Sequence, residues 1–598
     1  MAAAGVSLDQ LPKSHVFTKN LPSDPMVPTP EASMNVKDPR LLLPRAVTDA
    51  AYTFVAPDTH DLSKAQILAV SDAALKDLGL ALDVKNSLEF KELVIGNKIY
   101  EEHYPWAHLY GGYQFGQWAG QLGDGRAISL FEATNPDTGH RYEVQLKGAG
   151  RTPYSRFADG KAVLRSSIRE FLVSEALNAL SIPTTRALAL SRLTNEGVRR
   201  EAIEPRAIVT RMAESWIRFG SFDIHRRRGD RKMIKLLADY VLDYVYQGLD
   251  HIVSQNPEFK GLGRYHVLYR EVARRTAETT ALLQAYGFMN GVMNTDNTSI
   301  IGLSMDYGPF AFMDIFDPSY TPNHDDGMLR YSYRNMPTVM LWNLVRLGEA
   351  LAELFAAADP AVLDTTDYFE NGFAEDELDA FVQRAETMID AVGEYYRATY
   401  ERAHSQAFIR RLGLLSVSDT DSRNGIVDSV LELMKTHALD FHHFFRRLAN
   451  VQLFATSNAT DGEFISLDRI EEIFLTHDRG RAVPSAEDSS REIRDWLLNV
   501  YKPRLVEESN TDDVARKIRM DAVNPNFVLR GWILSEVIDR VQRQNDDAIL
   551  EHVLELSLDP FRDSWTDESK NPEKYARELR YTGNVPRGSQ GLMCSCSS

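Results

Sequence analysis

The sequence predicts an α+β protein made of two lobes, and two observations support this. Between about residue 85 and residue 220, strand patterns and glycine turns surround one helical segment, whereas after about residue 230 nearly every periodic segment is helical. A strand-rich part followed by a helix-rich part favours two lobes with a cleft between them, where ligands commonly bind. Hydrophobic residues make up 43% of the chain, which is enough for a packed core and excludes a largely disordered protein.

The first part contains three segments with clear periodicity. Tyr142–Lys147 alternates like a strand, and Gly148 begins the turn after it. Leu164–Leu180 repeats apolar residues at helical spacing, and this helix has to end before Pro183, because proline cannot continue it. Ala207–Met212 predicts a further strand.

The second part is predicted to be mostly helical. Helical spacing is found in Met233–Gly248, Arg270–Tyr286, Val339–Ala357, Glu375–Ala403, Ile426–Leu448 and Phe527–Asn545. Between these helices, Met293–Phe316 is dense in Asp, Asn and Gly, which is typical of loops and strand ends.

Composition excludes several classes of function. The net charge of −18 and a pI near 5.4 lack the basic surface of a general nucleic-acid binder, so we expect no nucleic-acid partner. The chain has no apolar window of ~18 residues, so we expect no membrane insertion. Its two cysteines, Cys594 and Cys596, exclude a disulfide framework and a cysteine-rich zinc site.

One segment has the side chains of a site for a hard cation. The run from Asn294 to Asn297 reads Asn-Thr-Asp-Asn, and Asp306 begins Asp-Tyr-Gly after a short apolar stretch, which predicts a hairpin at Ser299–Leu303. Carboxylate and amide oxygens are ligands that Mg²⁺ prefers. The alternative is ordinary turn chemistry, because Asp and Asn side chains often hydrogen-bond their own backbone in loops.

A phosphate-binding pair precedes this segment. Lys147 ends a predicted strand, and Glu170 lies on the next predicted helix. A strand lysine that is held by a helix carboxylate and contacts nucleotide phosphates is a feature of protein kinases. Each residue alone is common on protein surfaces, but the order Lys, Glu, Asp-Asn, Asp-Tyr-Gly favours phosphate chemistry.

Further residues could bind the same phosphates. In the turn Gly123-Asp124-Gly125-Arg126, small residues allow close approach of the backbone and the arginine adds a forked, charged donor; a plain turn is the alternative. Neither a Walker loop nor the glycine-rich loop of ordinary kinases is present. Four more residues could converge on the anion, although each alone is more often a surface residue or ion pair: Asp159, Gly160, Arg211 and Arg218.

Four longer motifs resemble the selenoprotein O family. They are YGGYQFG at Tyr110–Gly116, QLGDGRA at Gln121–Ala127, QLKGAG at Gln145–Gly150 and GVMNTDN at Gly291–Asn297. That family consists of protein adenylyltransferases with a protein-kinase-like fold. The resemblance therefore implies a kinase-like bilobal fold with a large helical C-terminal part, from about residue 85 to the C-terminus.

The resemblance also implies a role for each candidate residue. Asp296 would accept a proton, Asn297 and Asp306 would bind Mg²⁺, and Lys147, held by Glu170, would contact the phosphates. The resemblance further implies that ATP lies reversed relative to kinases, which exposes its α-phosphate. The residues implied to line the nucleotide site are Gly123, Gly125, Arg126, Asp159, Gly160, Arg211 and Arg218.

The predicted function is Mg²⁺-dependent transfer of AMP from ATP to Ser, Thr or Tyr hydroxyls of proteins. Two alternatives stay open: a protein kinase that transfers the γ-phosphoryl group, and a pseudokinase that binds nucleotide without chemistry. Against the kinase, the chain has no His-Arg-Asp loop, and Asp296 directly adjoins Asn297. Against the pseudokinase, Lys147, Glu170 and both metal ligands are present.

These assignments divide the chain into four parts. Residues 1–45, rich in Pro, Ser and Ala, predict an extended N-terminal arm. Residues 46–225 form a mixed α/β lobe with the phosphate-binding elements, and residues 226–400 form a helical lobe with the metal and catalytic loop. Residues 401–598 form a helical extension that ends in a Cys-Ser-Cys tail.

The same resemblance also has implications for the location and the redox chemistry of the protein. It implies a mitochondrial protein, although the first arginine is Arg40 and the N-terminus gives little sign of a presequence; a cytoplasmic location is the alternative. Cys596 occupies the near-terminal position of selenocysteine in animal members. On a flexible tail, Cys594 or Cys596 could form a disulfide with the other or with a partner.

Overall fold

The structure is a computed structural model that describes residues 5–418, 421, 425–454, 466–476, 479 and 483–594. Its longest strands lie in the first lobe. In chain order they are β1 (Lys13–Ser14), β2 (Tyr52–Phe54), β3 (Ala65–Val70), β4 (Trp106–His108), β5 (Tyr113–Gln114), β6 (Gln117–Trp118), β7 (Ala127–Thr134), β8 (Arg141–Lys147), β9 (Ala162–Val163), β10 (Arg186–Arg199), β11 (Ile203–Ala213), β12 (Phe288–Asn290) and β13 (Phe310–Phe312).

The first lobe is built on one antiparallel sheet with the strand order β2-β4-β7-β8-β11-β10-β3. Lys147, at the end of β8, lies inside this sheet opposite Ala127 of β7 and Val209 of β11. Because successive strand residues point to opposite faces, Leu146 enters the apolar core of the lobe whereas Gln145 and Lys147 lie on the other face. The predicted strands at residues 142–147 and 207–212 are confirmed.

Helices dominate the chain after β11. The α-helices are α1 (Val16–Asn20), α2 (Pro30–Met34), α3 (Asp72–Leu78), α4 (Leu88–Val94), α5 (Leu164–Ala179), α6 (Phe219–Arg228), α7 (Arg231–Tyr240), α8 (Leu249–Gln255), α9 (Arg264–Ala285), α10 (Met336–Ala356), α11 (Thr366–Asn371), α12 (Leu378–Arg411), α13 (Ile426–Thr436), α14 (Phe441–Leu448), α15 (Leu467–Phe474), α16 (Ala486–Trp496), α17 (Lys502–Glu507), α18 (Asp513–Asp521), α19 (Gly531–Arg543), α20 (Ala548–Leu558) and α21 (Pro572–Tyr581). Among the described residues, none of these helices is long and apolar enough to cross a membrane.

Helix α5 joins the sheet to the C-terminal part. Its apolar residues, including Ile168 and Phe171, are buried in a cluster that also contains Ile533 of α19 and Leu550 of α20. Residues beyond 400 therefore complete the core beneath α5, and the proposed boundary at residue 400 lies inside α12. The division into four parts stays a prediction.

The Asp- and Asn-rich segment lies between two paired strands. β12 and β13 are antiparallel, with Asn290 opposite Phe310, and residues 291–309 connect them. The predicted hairpin at Ser299–Leu303 is wrong: Ser299 forms an isolated bridge with Arg218, and Ser304 forms one with Thr184. These bridges fix the connecting segment to the first lobe at both ends of its apolar stretch.

Two local predictions need correction. The helix predicted over Ile426–Leu448 is two helices, because Ala438 adopts a left-handed backbone (φ 48°) and the Asp440 side chain caps the start of α14. The N-terminal residues are not simply an extended arm, since they contain α1 and α2, and Phe17 and Val27 are buried in the core.

Candidate active site

The Lys147–Glu170 pair belongs to a buried cluster of charges. The Nζ atom of Lys147 is 2.7 Å from Oε2 of Glu170 and 3.4 Å from Oδ1 of Asp306. A strand lysine paired with a helix glutamate, facing an acidic loop of a helical lobe, is the arrangement of protein kinases. The α+β, kinase-like fold predicted from the sequence is confirmed.

Two arginines of the first lobe complete this cluster. Arg211 Nη1 lies 2.9 Å from Glu170 Oε1 and 2.6 Å from Asp306 Oδ1. Arg218 Nη1 contacts Oδ2 of the same Asp306 carboxylate and donates to the backbone oxygen of Asp296 at 2.7 Å. One carboxylate therefore contacts three cationic side chains. The same three side chains are suited to binding the oxygens of a phosphate.

The charges of this cluster shift the pKa values of Asp306 and Lys147. Burial opposes ionisation of Asp306, but the charges of Arg218, Arg211 and Lys147 outweigh it and hold the pKa of Asp306 well below its usual value. Burial also lowers the pKa of Lys147, and the negative charges of Glu170 and Asp306 oppose that shift only in part. Asp306 is therefore an anion at neutral pH.

Asp296 lies beside this cluster in a different environment. Its side chain is buried, and Oδ2 accepts a hydrogen bond of 3.0 Å from Gln114 Nε2. Burial raises the pKa of Asp296 to about 6, although the hydrogen bond from Gln114 favours the charged form. Within the described part of the chain, its Oδ1 atom has no hydrogen-bond partner.

The loop that begins at Tyr110 positions Asp296. A Cβ atom on Gly112 would lie 2.8 Å from both Cβ and Oδ1 of Asp296, which is closer than real Cβ contacts. The backbone N–H of Tyr113 donates to Thr295 Oγ1 at 2.8 Å. The loop therefore packs directly against the Asp296 side chain and its neighbour.

Replacing Gly112 by alanine is expected to slow catalysis by shifting Asp296. A displacement of about 1 Å at a reacting group can cost roughly 10²-fold in rate, so we expect kcat to fall about 10- to 100-fold. A matched control is Gly263→Ala, because a Cβ there meets no atom within 4 Å. Steady-state kinetics and thermal unfolding of both variants check this; an equal kcat in both would contradict it.

The predicted metal ligands, Asn297 and Asp306, are of the types that Mg²⁺ prefers. Asn297 Nδ2 donates to the backbone oxygen of Val292 at 3.1 Å, which fixes the orientation of its amide. Asp306 supplies an ionised carboxylate, and its backbone is left-handed (φ 54°). Among the described residues no group of three or more His, Cys, Asp or Glu side chains could hold a metal. Two protein ligands fit Mg²⁺, which usually takes its remaining ligands from phosphates and water.

The Gly123–Arg126 turn is fixed from beneath by a neighbouring loop. Thr152 Oγ1 donates to the backbone oxygen of Asp124 at 2.7 Å, and Ser155 donates to that of Gly125. Arg126 is exposed, and its charge contributes to lowering the pKa of Lys147. The turn and its arginine therefore lie near the charged cluster, and their contact with phosphate stays a prediction.

Asp159 and Gly160 lie in a different local arrangement. The Asp159 carboxylate pairs with Arg200 at 2.9 Å instead of joining the cluster around Asp306. A Cβ atom on Gly160 would lie 2.2 Å from the backbone of Gly150, so glycine is required where these two segments meet. Their contact with nucleotide stays a prediction.

Several polar residues of the site were missed by sequence reasoning. Gln145 Oε1 accepts two hydrogen bonds from Arg211, and the buried Asp124 accepts one from Gln145. Burial raises the pKa of Asp223 to about 7, and its carboxylate interacts with Thr295. Gln114 and Gln145 lie inside the motifs that resemble the family. Their position in these motifs was the signal in the sequence that could have identified them as site residues.

The described part of the C-terminal tail is docked on the protein. The backbone N–H of Cys594 donates to Pro322 at 2.9 Å, and its backbone oxygen accepts from His324 at 3.0 Å. Among the described residues, the half-buried thiol of Cys594 has no disulfide partner. The prediction of a flexible tail is therefore wrong as far as Cys594, whereas Cys596 lies outside the described residues.

Among solved structures, the chain is similar to ROP2 from Toxoplasma gondii, which is described as a virulence factor with a protein-kinase fold and no enzymatic activity. The two are 12% identical, and the match covers 55% of this chain and 94% of that one with a TM-score of 0.22. This likeness is too distant to support the fold assignment, which depends on the two lobes and the Lys147–Glu170 pair.

Sequence relatives cover almost the whole chain. It is 42% identical over 596 residues to "Protein adenylyltransferase SelO, mitochondrial" of Schizosaccharomyces pombe, with 99% of each chain covered. It is 37% identical over 586 residues to "Protein nucleotidyltransferase YdiU" of Burkholderia multivorans, with 95% of this chain and 99% of that protein covered. A family model described as protein adenylyltransferase SelO matches residues 44–557. The chain belongs to the protein adenylyltransferase SelO family.

Proposed function

We propose that this protein transfers AMP from ATP to the hydroxyl of a Ser, Thr or Tyr side chain, with Asp296 as the proton acceptor. The observation that supports this best is the buried Asp296 carboxylate, whose Oδ1 atom has no hydrogen-bond partner among the described residues. It lies beside the three cationic side chains that contact Asp306. A carboxylate with a raised pKa and a free oxygen is suited to general base catalysis.

The reaction balances with the residues of this site. The acceptor oxygen forms a bond to the α-phosphorus, the bond from that phosphorus to the bridging oxygen of the β-phosphate breaks, and pyrophosphate leaves. The hydroxyl proton moves to Asp296 Oδ1. Lys147, Arg211 and Arg218 would stabilise the charge that builds on the phosphate oxygens, which is usually the largest catalytic contribution.

The proposal includes Mg²⁺ held by Asn297 and Asp306. When bound, the ion would neutralise phosphate charge and favour departure of pyrophosphate. Because Lys147, Arg211 and Arg218 all contact the Asp306 carboxylate, phosphates that bind these cations would leave that carboxylate available to the metal. The other residues of the nucleotide site would be Gly123, Gly125, Arg126, Asp159 and Gly160.

The position of the label in ATP tests this proposal. The full chain is incubated with a protein acceptor and ATP labelled at either the α- or the γ-phosphate, and the product is analysed by mass spectrometry. We expect label from the α-position only and the added mass of AMP. Label from the γ-position alone would support the kinase, and no transfer from either position would support a pseudokinase.

We further propose a mitochondrial location, because the relative from S. pombe carries that word in its name. Fractionation of cells that express the full chain would test it, and recovery in the cytoplasmic fraction would support the alternative. A disulfide through Cys594 or Cys596 stays a prediction.

A further inference from the structure

Arginine and aromatic side chains form a continuous surface beside Asp296. The ring centroid of Tyr113 is 5.3 Å from that of Trp118 and 5.6 Å from that of Trp342, both in edge-on geometry. We call this group the arginine–aromatic surface, and its members are Tyr113, Trp118, Trp342, Arg227 and Arg330.

Arg227 and Arg330 stack on the aromatic rings. Arg346 also lies over Tyr113 and Trp342, but it pairs with Glu349 and is not counted in this surface. The guanidinium of Arg227 lies 5.5 Å from the Tyr113 ring and 5.4 Å from the Trp118 ring. The guanidinium of Arg330 lies 4.9 Å from the Trp342 ring. Aromatic rings restrain a guanidinium in one plane, so less conformational entropy is lost when it binds a carboxylate.

These arginines differ from their neighbours in charge pairing. Arg226 and Arg231, on α6 and α7, pair with Glu349 and Glu353 of α10. Across the described residues, no carboxylate lies within 4.0 Å of the Arg227 or Arg330 guanidinium. In a chain with a net charge of −18, these two arginines give this surface local positive charge that is free to attract an acidic group.

The surface is fixed directly to the proposed catalytic segment. Tyr113 donates its backbone N–H to Thr295, and the next residue, Gln114, donates to the Asp296 carboxylate. The surface therefore adjoins the position that an acceptor hydroxyl would occupy beside Asp296. An extended peptide advances about 3.3 Å per residue, so residues within a few positions of the acceptor would reach it.

We propose that the arginine–aromatic surface binds Asp or Glu side chains that flank the acceptor hydroxyl, so that this protein prefers acidic acceptor segments. This inference depends on the proposed function, because it assigns the substrate class of the same site. Each arginine would form charge-assisted hydrogen bonds to a carboxylate, and the aromatic rings would pack against the peptide backbone.

Matched peptides test the preference. Each carries a single Ser flanked by Glu, by Gln or by Lys, and binding to the full chain is measured by fluorescence anisotropy in the absence of ATP. The KM for AMP transfer to each peptide is measured in parallel. We expect the Glu peptide to bind tightest, and the double variant Arg227→Glu with Arg330→Glu to weaken its binding about tenfold or more and to favour the Lys peptide. The matched control is Arg543→Glu, which reverses the charge of an exposed arginine on α19.

Three results of this experiment would overturn the preference for acidic segments, and a fourth would overturn the proposed function alone. Equal binding of the three peptides, or an equal loss for all three in the double variant, would overturn the preference for acidic segments. A loss of ATP affinity in the double variant would also overturn it, since the surface would then belong to the nucleotide site. If no peptide or protein receives AMP while the Glu peptide still binds selectively, the proposed function fails and the acidic-peptide surface remains.

Discussion

Replacing Asp296 by asparagine is expected to slow AMP transfer by about 10²- to 10⁴-fold, the usual contribution of a general base. Asparagine has the same shape but cannot accept the hydroxyl proton, so the loss should appear in kcat. ATP binding should persist, because the cationic side chains that contact Asp306 are unchanged. Single-turnover transfer and calorimetric titration with ATP measure the two quantities separately.

An exposed aspartate provides the control for this substitution. Asp539 lies on α19 and pairs with the exposed Arg543, so Asp539→Asn should leave transfer and ATP binding unaltered. The role of Asp296 as proton acceptor would be refuted if Asp296→Asn transferred AMP at the rate of this control.

The Asp306→Asn variant is expected to lose both stability and Mg²⁺-dependent nucleotide affinity. Removing one partner of a buried ion pair costs about 3–5 kcal/mol. Here it leaves Lys147 and Arg211 with Glu170 as their close carboxylate, and Arg218 with Asp124 at 3.7 Å. Asparagine tolerates the left-handed backbone of residue 306, so the effect reports charge and not backbone strain.

Adding ATP without Mg²⁺ separates the role of Asp306 as an ion-pair partner from its role as a metal ligand. Phosphates can replace the lost carboxylate, so ATP in the presence of EDTA should raise the melting temperature more in Asp306→Asn than in the unsubstituted protein. Asp243→Asn, at an exposed pair with Arg264, is the control and should cost about 1 kcal/mol or less. A Mg²⁺-ATP affinity unchanged by Asp306→Asn would remove this residue from the metal site.

Local sequence patterns identified much of the fold because they report local backbone preferences. The alternation at residues 142–147 and the apolar spacing before Pro183 correspond to β8 and α5. The break between α13 and α14 could not be predicted in this way, because it depends on one left-handed residue and on the Asp440 cap. The apolar stretch after Asn297 resembled a hairpin, but its backbone pairs with other segments.

By itself, the sequence determined the α+β class, the family resemblance and the residue types of the site, from Lys147 and Glu170 to Asp296 and Asp306. Only the tertiary structure decided which of these side chains contact one another. It brings three cations onto one Asp306 carboxylate and places Gln114 on Asp296 across 182 residues of chain. Such contacts have no local signal, because they arise only when the sheet and the helical lobe pack together and exclude water from the charges between them.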